Sequence, residues 1–204
     1  MKTLWMILLS LLSVSAAYAG DYFGSTHLVG SDIEQATIYG PAELEHVKAD
    51  TLNVNGPLKF KDLEVTNETG IVGPVKDSEK GKLNDVKVMG PFEAKDVICH
   101  NLSVVGPATV TSLLAKGNTE IMGPLKADKS HFQKLTVTAD ETELKNSEVG
   151  DILIKTTSNK EQTLYLDKTI VKGNITFESG RGVIIEKGKA EIKGKVTGGT
   201  IKKK

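Results

Sequence analysis

The sequence predicts an all-β protein: a parallel β-helix, or β-solenoid, of about six three-sided coils with a 16–17-residue period, followed by a further Gly-rich β region. Three observations carry this prediction. All six prolines follow a glycine, in the pairs Gly40-Pro41, Gly56-Pro57, Gly73-Pro74, Gly90-Pro91, Gly106-Pro107 and Gly123-Pro124. Around each pair the apolar residues alternate, as in Leu52, Val54, Gly56, Leu58 and Phe60, which is the period of an extended strand with one buried face. The alternation then changes parity once per unit, at Val47 and Ala49, Leu63 and Val65, Val97 and Cys99. Each unit therefore offers three inward pairs, and three short strands per turn describe a triangular coil.

Taken in order, residues 1–19 have the parts of an export signal. Lys2 is the positive start, Leu4 to Leu12 the apolar run, and Ala17-Tyr18-Ala19 the small-residue cleavage site. The run is too short to span a bilayer, so a soluble mature chain without a transmembrane segment is expected, secreted or periplasmic. Residues 20–39 are expected to cap the first coil. Residues 40–139 form the Gly-Pro-paced solenoid, with glycine on the inward parity and proline facing out at each corner. Where a seventh pair would fall stands Ala139-Asp140. Residues 140–204 form a C-terminal β region with a basic tail, in which Gly182, Gly188 and Gly194 recur every six residues.

Gly180 to Ile201, GRGVIIEKGKAEIKGKVTGGTI, resembles the bactofilins, bacterial polymer-forming proteins with a triangular β-helix of short Gly-punctuated coils. The resemblance lies in the Gly-x-Ile/Val alternation and the Lys-Gly corners. It implies end-to-end self-association and a scaffold role, and it brings no catalytic residues. The export signal and the Gly-Pro pacing depart from that family.

Charge is balanced overall but uneven along the chain. From Lys168 to Lys204 ten Lys/Arg face three Asp/Glu, a net +7, so the remainder carries −7. Lys202, Lys203 and Lys204 read first as a solvated tail that blocks edge pairing, and alternatively, given this asymmetry, as a contact with an anionic envelope or host surface or with a second copy. Arg181 is the only arginine. Bidentate readout of phosphates and bases favours arginine, so no nucleic-acid partner is expected. With one cysteine there is no intramolecular disulfide.

No catalytic, metal or cofactor motif emerges. His27, His46, His100 and His131 occupy different places in the repeat, and Cys99 reads as a small buried hydrophobe. Asp62 and Asp96 share a coil position two coils apart, about 10 Å, beside Lys61 and Lys95. A carbohydrate-active β-helix enzyme would need its carboxylates clustered on one face. An acyltransferase reading of the glycine hexads lacks a histidine, since none follows His131. Thr51, Thr66, Thr109, Thr111 and Thr136 are out of register for an ice-binding array. Asn67, Asn101 and Asn174 open glycosylation triplets that matter only in a eukaryotic host. One coil, from Gly73 to Met89, breaks the pattern: Asp77, Lys80 and Lys82 stand where apolar residues stand elsewhere, and a bulged loop is expected there, read first as a tolerated irregularity and alternatively as a binding loop. The expectation is a non-enzymatic structural or assembly protein acting through its solenoid faces. The alternatives are a secreted module binding a surface glycan, polyanion or host protein, and a carbohydrate-active enzyme.

Overall fold

The computed structural model describes residues 19–157 and 160–203. Apart from Ala19, the expected export signal lies outside the described residues, and so does Lys204. The described chain is a β-solenoid in which every strand pairing is parallel, as in Ala42–Asn55 against Leu58–Val72 and Leu58–Val72 against Val75–Met89. It makes about eleven turns, where the Gly-Pro pairs alone suggest six. The ladder extends past the pairs in both directions. Gly20–Phe23 and Thr26–Val29 pair in register with Asp32–Tyr39 and Ala42–Asn55. Beyond Ala139, Glu141–Lys145 and Glu148–Ile154 continue the stack, and Gln162–Asp167, Gly182–Lys187 and Gly199–Lys203 follow.

Three inward pairs per coil fill the interior. In one coil these are Leu58 and Phe60, Leu63 and Val65, then Thr69 and Ile71, all buried. A coil of this size has no room for a second layer, so each inward side chain packs mainly on those one rung above and below. Phe60 is accommodated by Gly81 on the next coil, where even a methyl group would meet the Phe60 ring at 3.1 Å. This is why glycine stands on a buried position in the irregular coil.

The Gly-Pro pairs build the first corner. The six glycines have φ between +133° and +155°, which side chains rarely adopt. Backbone hydrogen bonds run from the N–H on either side of each proline, as in Gly90 N to Val105 O (3.0 Å) and Phe92 N to Pro107 O (2.9 Å). Proline thus occupies the position whose N–H that ladder does not use. At the start of the stack Ser25 holds the same place, between Gly24 N to Tyr39 O and Thr26 N to Pro41 O.

The second corner is where the parity changes. There a non-glycine residue turns left-handed on nearly every coil: His46, Asp62, Lys80, Asp96, Ser112, Lys129, Asn146 and Lys168, with φ of 47–58°. Asp and Asn tolerate this region best, and every residue here is unbranched at Cβ. The third corner is held in two stretches by side-chain amides and carboxylates. Asn101 Nδ2 donates to Asp85 Oδ1 (2.8 Å), and its own Oδ1 accepts from Asn118 N (2.9 Å). Farther on, Asn174 N donates to Asp151 Oδ1 (2.8 Å) and Lys195 N to Asn174 Oδ1 (2.9 Å).

Candidate interaction surfaces

Among the described residues no three His, Cys, Asp or Glu side chains are grouped so as to hold a metal ion. Each histidine but His100 instead meets one carboxylate on the next coil: His27 with Glu43 (3.4 Å), His46 with Asp62 (2.8 Å) and His131 with Glu148 (3.1 Å). These pairs are on different ladders. The hydrogen bond from His46, helped by the charges of Lys80 and Lys82, holds the Asp62 carboxyl below its ordinary value. Lys172 does the same for Glu148. Asp62 and Asp96 both lie on the second corner, with Lys80 on the rung between them. The outcome is a row of alternating charge, and the two carboxylates do not face each other across one substrate-sized gap.

Cys99 is buried in the wall, and loss of solvation pushes its thiol up to about 12. At neutral pH it is a protonated, apolar-like side chain.

The irregular coil separates its three charged residues. Asp77 and Lys80 both turn left-handed (φ 49° and 56°), which swings Ser78 inward. The Ser78 hydroxyl accepts from Phe60 N (3.1 Å) and donates to Lys76 O (3.0 Å), which closes the bulge. The charges of Lys80 and Lys82 act on Asp62, while Asp77 lines a different groove of about 360 Å³. That groove runs beside Pro41, Pro57 and Pro74, with His27, Glu43, Lys59 and Lys76 on its far wall.

The two ends of the stack differ in charge and are alike in packing. Among the described residues, Gly20–Phe23 and Thr26–Val29 have a strand partner on one side only. The same holds for Glu191–Ile192, Val196–Thr197 and Gly199–Lys203. Tyr22 and Leu28 at the first end, and Ala190, Ile192 and Val196 at the last, pack on the core with one side open. Around the first end stand Asp21, Asp32 and Glu34, and around the last Lys189, Lys193, Lys195, Lys202 and Lys203. Lys203 reaches Glu186 at 3.8 Å, and Lys193 reaches Glu191 at 3.9 Å. No known protein family, curated protein or solved structure matches the chain.

Sequence reasoning missed the row of exposed apolar side chains that runs along the first corner. Phe23, Tyr39, Val72, Met89, Val105 and Met122 each immediately precede a corner glycine, and all are 45–77 % exposed. The signal was present as a large apolar residue before nearly every Gly-Pro, on the outward parity where strands usually carry polar residues. Among the described residues, no helix is long and apolar enough to cross a membrane.

Proposed function

We propose that this is an exported, non-enzymatic structural or assembly protein of the cell envelope or secreted space, which joins copies head to tail through the ends of its solenoid. The carrying observation is the pair of open ends. Among the described residues, each has strands paired on one side only around a half-covered apolar core, one ringed by acidic and the other by basic side chains. Strand edges of this kind template pairing with another chain. The charge difference selects the opposite end of a second copy over the same end, because like ends repel. The ends also present the same three sides in the same parallel sense, so stacking continues the ladder instead of interrupting it. The experiment is a charge swap. Lys202→Glu with Lys203→Glu should abolish low-salt association, and mixing with Asp21→Lys and Asp32→Lys copies should restore it between the two variants. Association unchanged by both swaps would overturn the reading.

A second reading, a secreted module that engages a surface polyanion through the basic C-terminal end, draws support from the lysines gathered there. Retention on a heparin column that the Lys202→Glu, Lys203→Glu variant loses, with no self-association at low salt, would favour it. The carbohydrate-active reading has least to support it, because Lys80 intervenes between Asp62 and Asp96.

A further inference from the structure

Nine large apolar side chains are exposed among the described residues, and six of them fall on one ladder of the first corner: Phe23, Tyr39, Val72, Met89, Val105 and Met122. The register makes them consecutive except at Asn55, so the ladder is a straight row with one polar gap. Phe23 and Tyr39 already stack, with centroids 5.1 Å apart and planes 9° from parallel. On the other side of the glycines the six prolines form a second, largely exposed row. Neither row contains a charged residue from Phe23 to Pro124, in a chain that is 25% charged. The fold does not require this. A solenoid asks for apolar residues only inside, and methionine has no strand preference that would place Met89 and Met122 outward.

We propose that this corner is a lateral self-contact, by which the ridge of one solenoid packs along the ridge of a second copy. The partner surface must be uncharged along its centre, because burying an unpaired charge is costly. At the rim it must be mixed in sign, since Glu43, Lys59, Lys76 and Glu93 succeed one another along the flank. A second copy supplies both. It also supplies the same repeat of about 4.8 Å, so side chains of one row can seat between rungs of the other. Seven rungs by about 12 Å of width give roughly 350 Å² per copy and about 700 Å² per pair, below the ~1,200 Å² of stable complexes. The contact is therefore weak for two free molecules and accumulates when rods are joined end to end, each added subunit bringing another patch. It uses a different surface from the head-to-tail contact and responds oppositely to salt: apolar burial persists where ion attraction is screened.

The test is sedimentation at about 0.5 mM protein in 0.5 M salt, where end attraction is suppressed. The wild-type protein should show a dimer. Met89→Lys with Val105→Lys should weaken it at least tenfold at an unchanged melting temperature, and Lys202→Glu with Lys203→Glu should leave it intact. Val105→Cys gives a covalent reporter, because Cys99 is buried: oxidation should link two copies much faster than it links Glu64→Cys copies, whose cysteine lies on another side of the coil. A wild-type monomer under these conditions, equal cross-linking of the two cysteine variants, or ridge-dependent binding to phosphatidylcholine vesicles without dimerisation would overturn the proposal. A wild-type protein that forms the high-salt dimer but does not associate at low salt and micromolar concentration would count against the head-to-tail reading alone.

Discussion

The carbonyl oxygen of Gly73 lies 2.5 Å from where a Cβ on Gly90 would stand. The same relationship recurs along the corner. Each of the six glycines would drive a Cβ to within 2.3–2.6 Å of the carbonyl oxygen of the glycine one coil earlier. Adjacent coils approach so closely here that only hydrogen fits, and the Gly-Pro rhythm is a consequence of that approach.

Gly90→Val should therefore cost about 3 kcal/mol or more, from left-handed strain plus overlap with a backbone atom that cannot rotate away. On a domain of this size the melting temperature should fall by on the order of 10 °C. Gly30→Ala is the control. Its φ is also positive (+60°), but nothing lies within 4 Å, so it should cost only about 1 kcal/mol. Equal melting temperatures for wild type and Gly90→Val would contradict the corner geometry.

Buried hydroxyls in the wall should respond to removal with opposite signs. Thr69 and Thr119 face inward, and among the described residues their Oγ1 atoms have no hydrogen-bond partner. Thr69→Val, close to isosteric, should raise stability by about 1 kcal/mol. Ser147 is different: its Oγ accepts from Ser130 N (3.0 Å) and donates to Lys145 O (2.6 Å). Ser147→Ala strands a buried N–H and should cost about 1–3 kcal/mol. Denaturant titration of both variants checks the pair, and destabilisation by Thr69→Val would contradict the assignment of its hydroxyl.

Cys99 should be silent to thiol reagents in the native protein at pH 8.5 and react fully once the chain unfolds. Its thiol is raised from 9.0 to about 12, so between those values the unfolded chain gives up this proton while the folded chain keeps it. The unfolded state then binds fewer protons, and stability falls as pH rises. Cys99→Ala should flatten that alkaline fall, read from denaturant midpoints at pH 8 and pH 10.5. A native thiol that reacts as fast as free cysteine would contradict its burial.

The pH response of the exposed pairs has the other sign. Asp62 and Glu148 are held below their ordinary values by His46 and Lys172, so the stability they lend is present above the ordinary carboxylate range and is lost as pH falls through their lowered values. Asp62→Asn with Glu148→Gln should flatten the acid limb of a stability–pH curve while leaving its alkaline limb unchanged. An acid limb as steep as in the wild type would contradict these pairings.

Much of the architecture was legible because period two and a repeated Gly-Pro both come from backbone geometry. Alternation at Leu58 and Phe60 followed by Leu63 and Val65 reported the two walls and the corner between them. The left-handed backbone of that second corner was hidden for a physical reason. Its left-handed residues are His, Asp, Lys, Ser and Asn, which tolerate that conformation without announcing it. In the sequence the coils beyond Ala139 look like a separate region, because Gly-Pro disappears there. The stack is kept by Gly173-Asn174 and Gly194-Lys195 at another corner, where Asn174 Oδ1 takes the hydrogen bond from Lys195 N. The ends were legible only as a charge imbalance. That Tyr22 and Leu28 at one end, and Ala190, Ile192 and Val196 at the other, are only half-covered among the described residues depends on how the coils stack, which a linear pattern does not encode.

Light scattering on a concentration series of the purified protein at low salt decides whether copies join through those ends. The mean mass should climb with concentration in single-chain increments at 20 mM salt and fall back when salt is raised to 0.5 M at the same micromolar concentrations. A single-chain mass that stays constant across the low-salt series would contradict assembly through the ends.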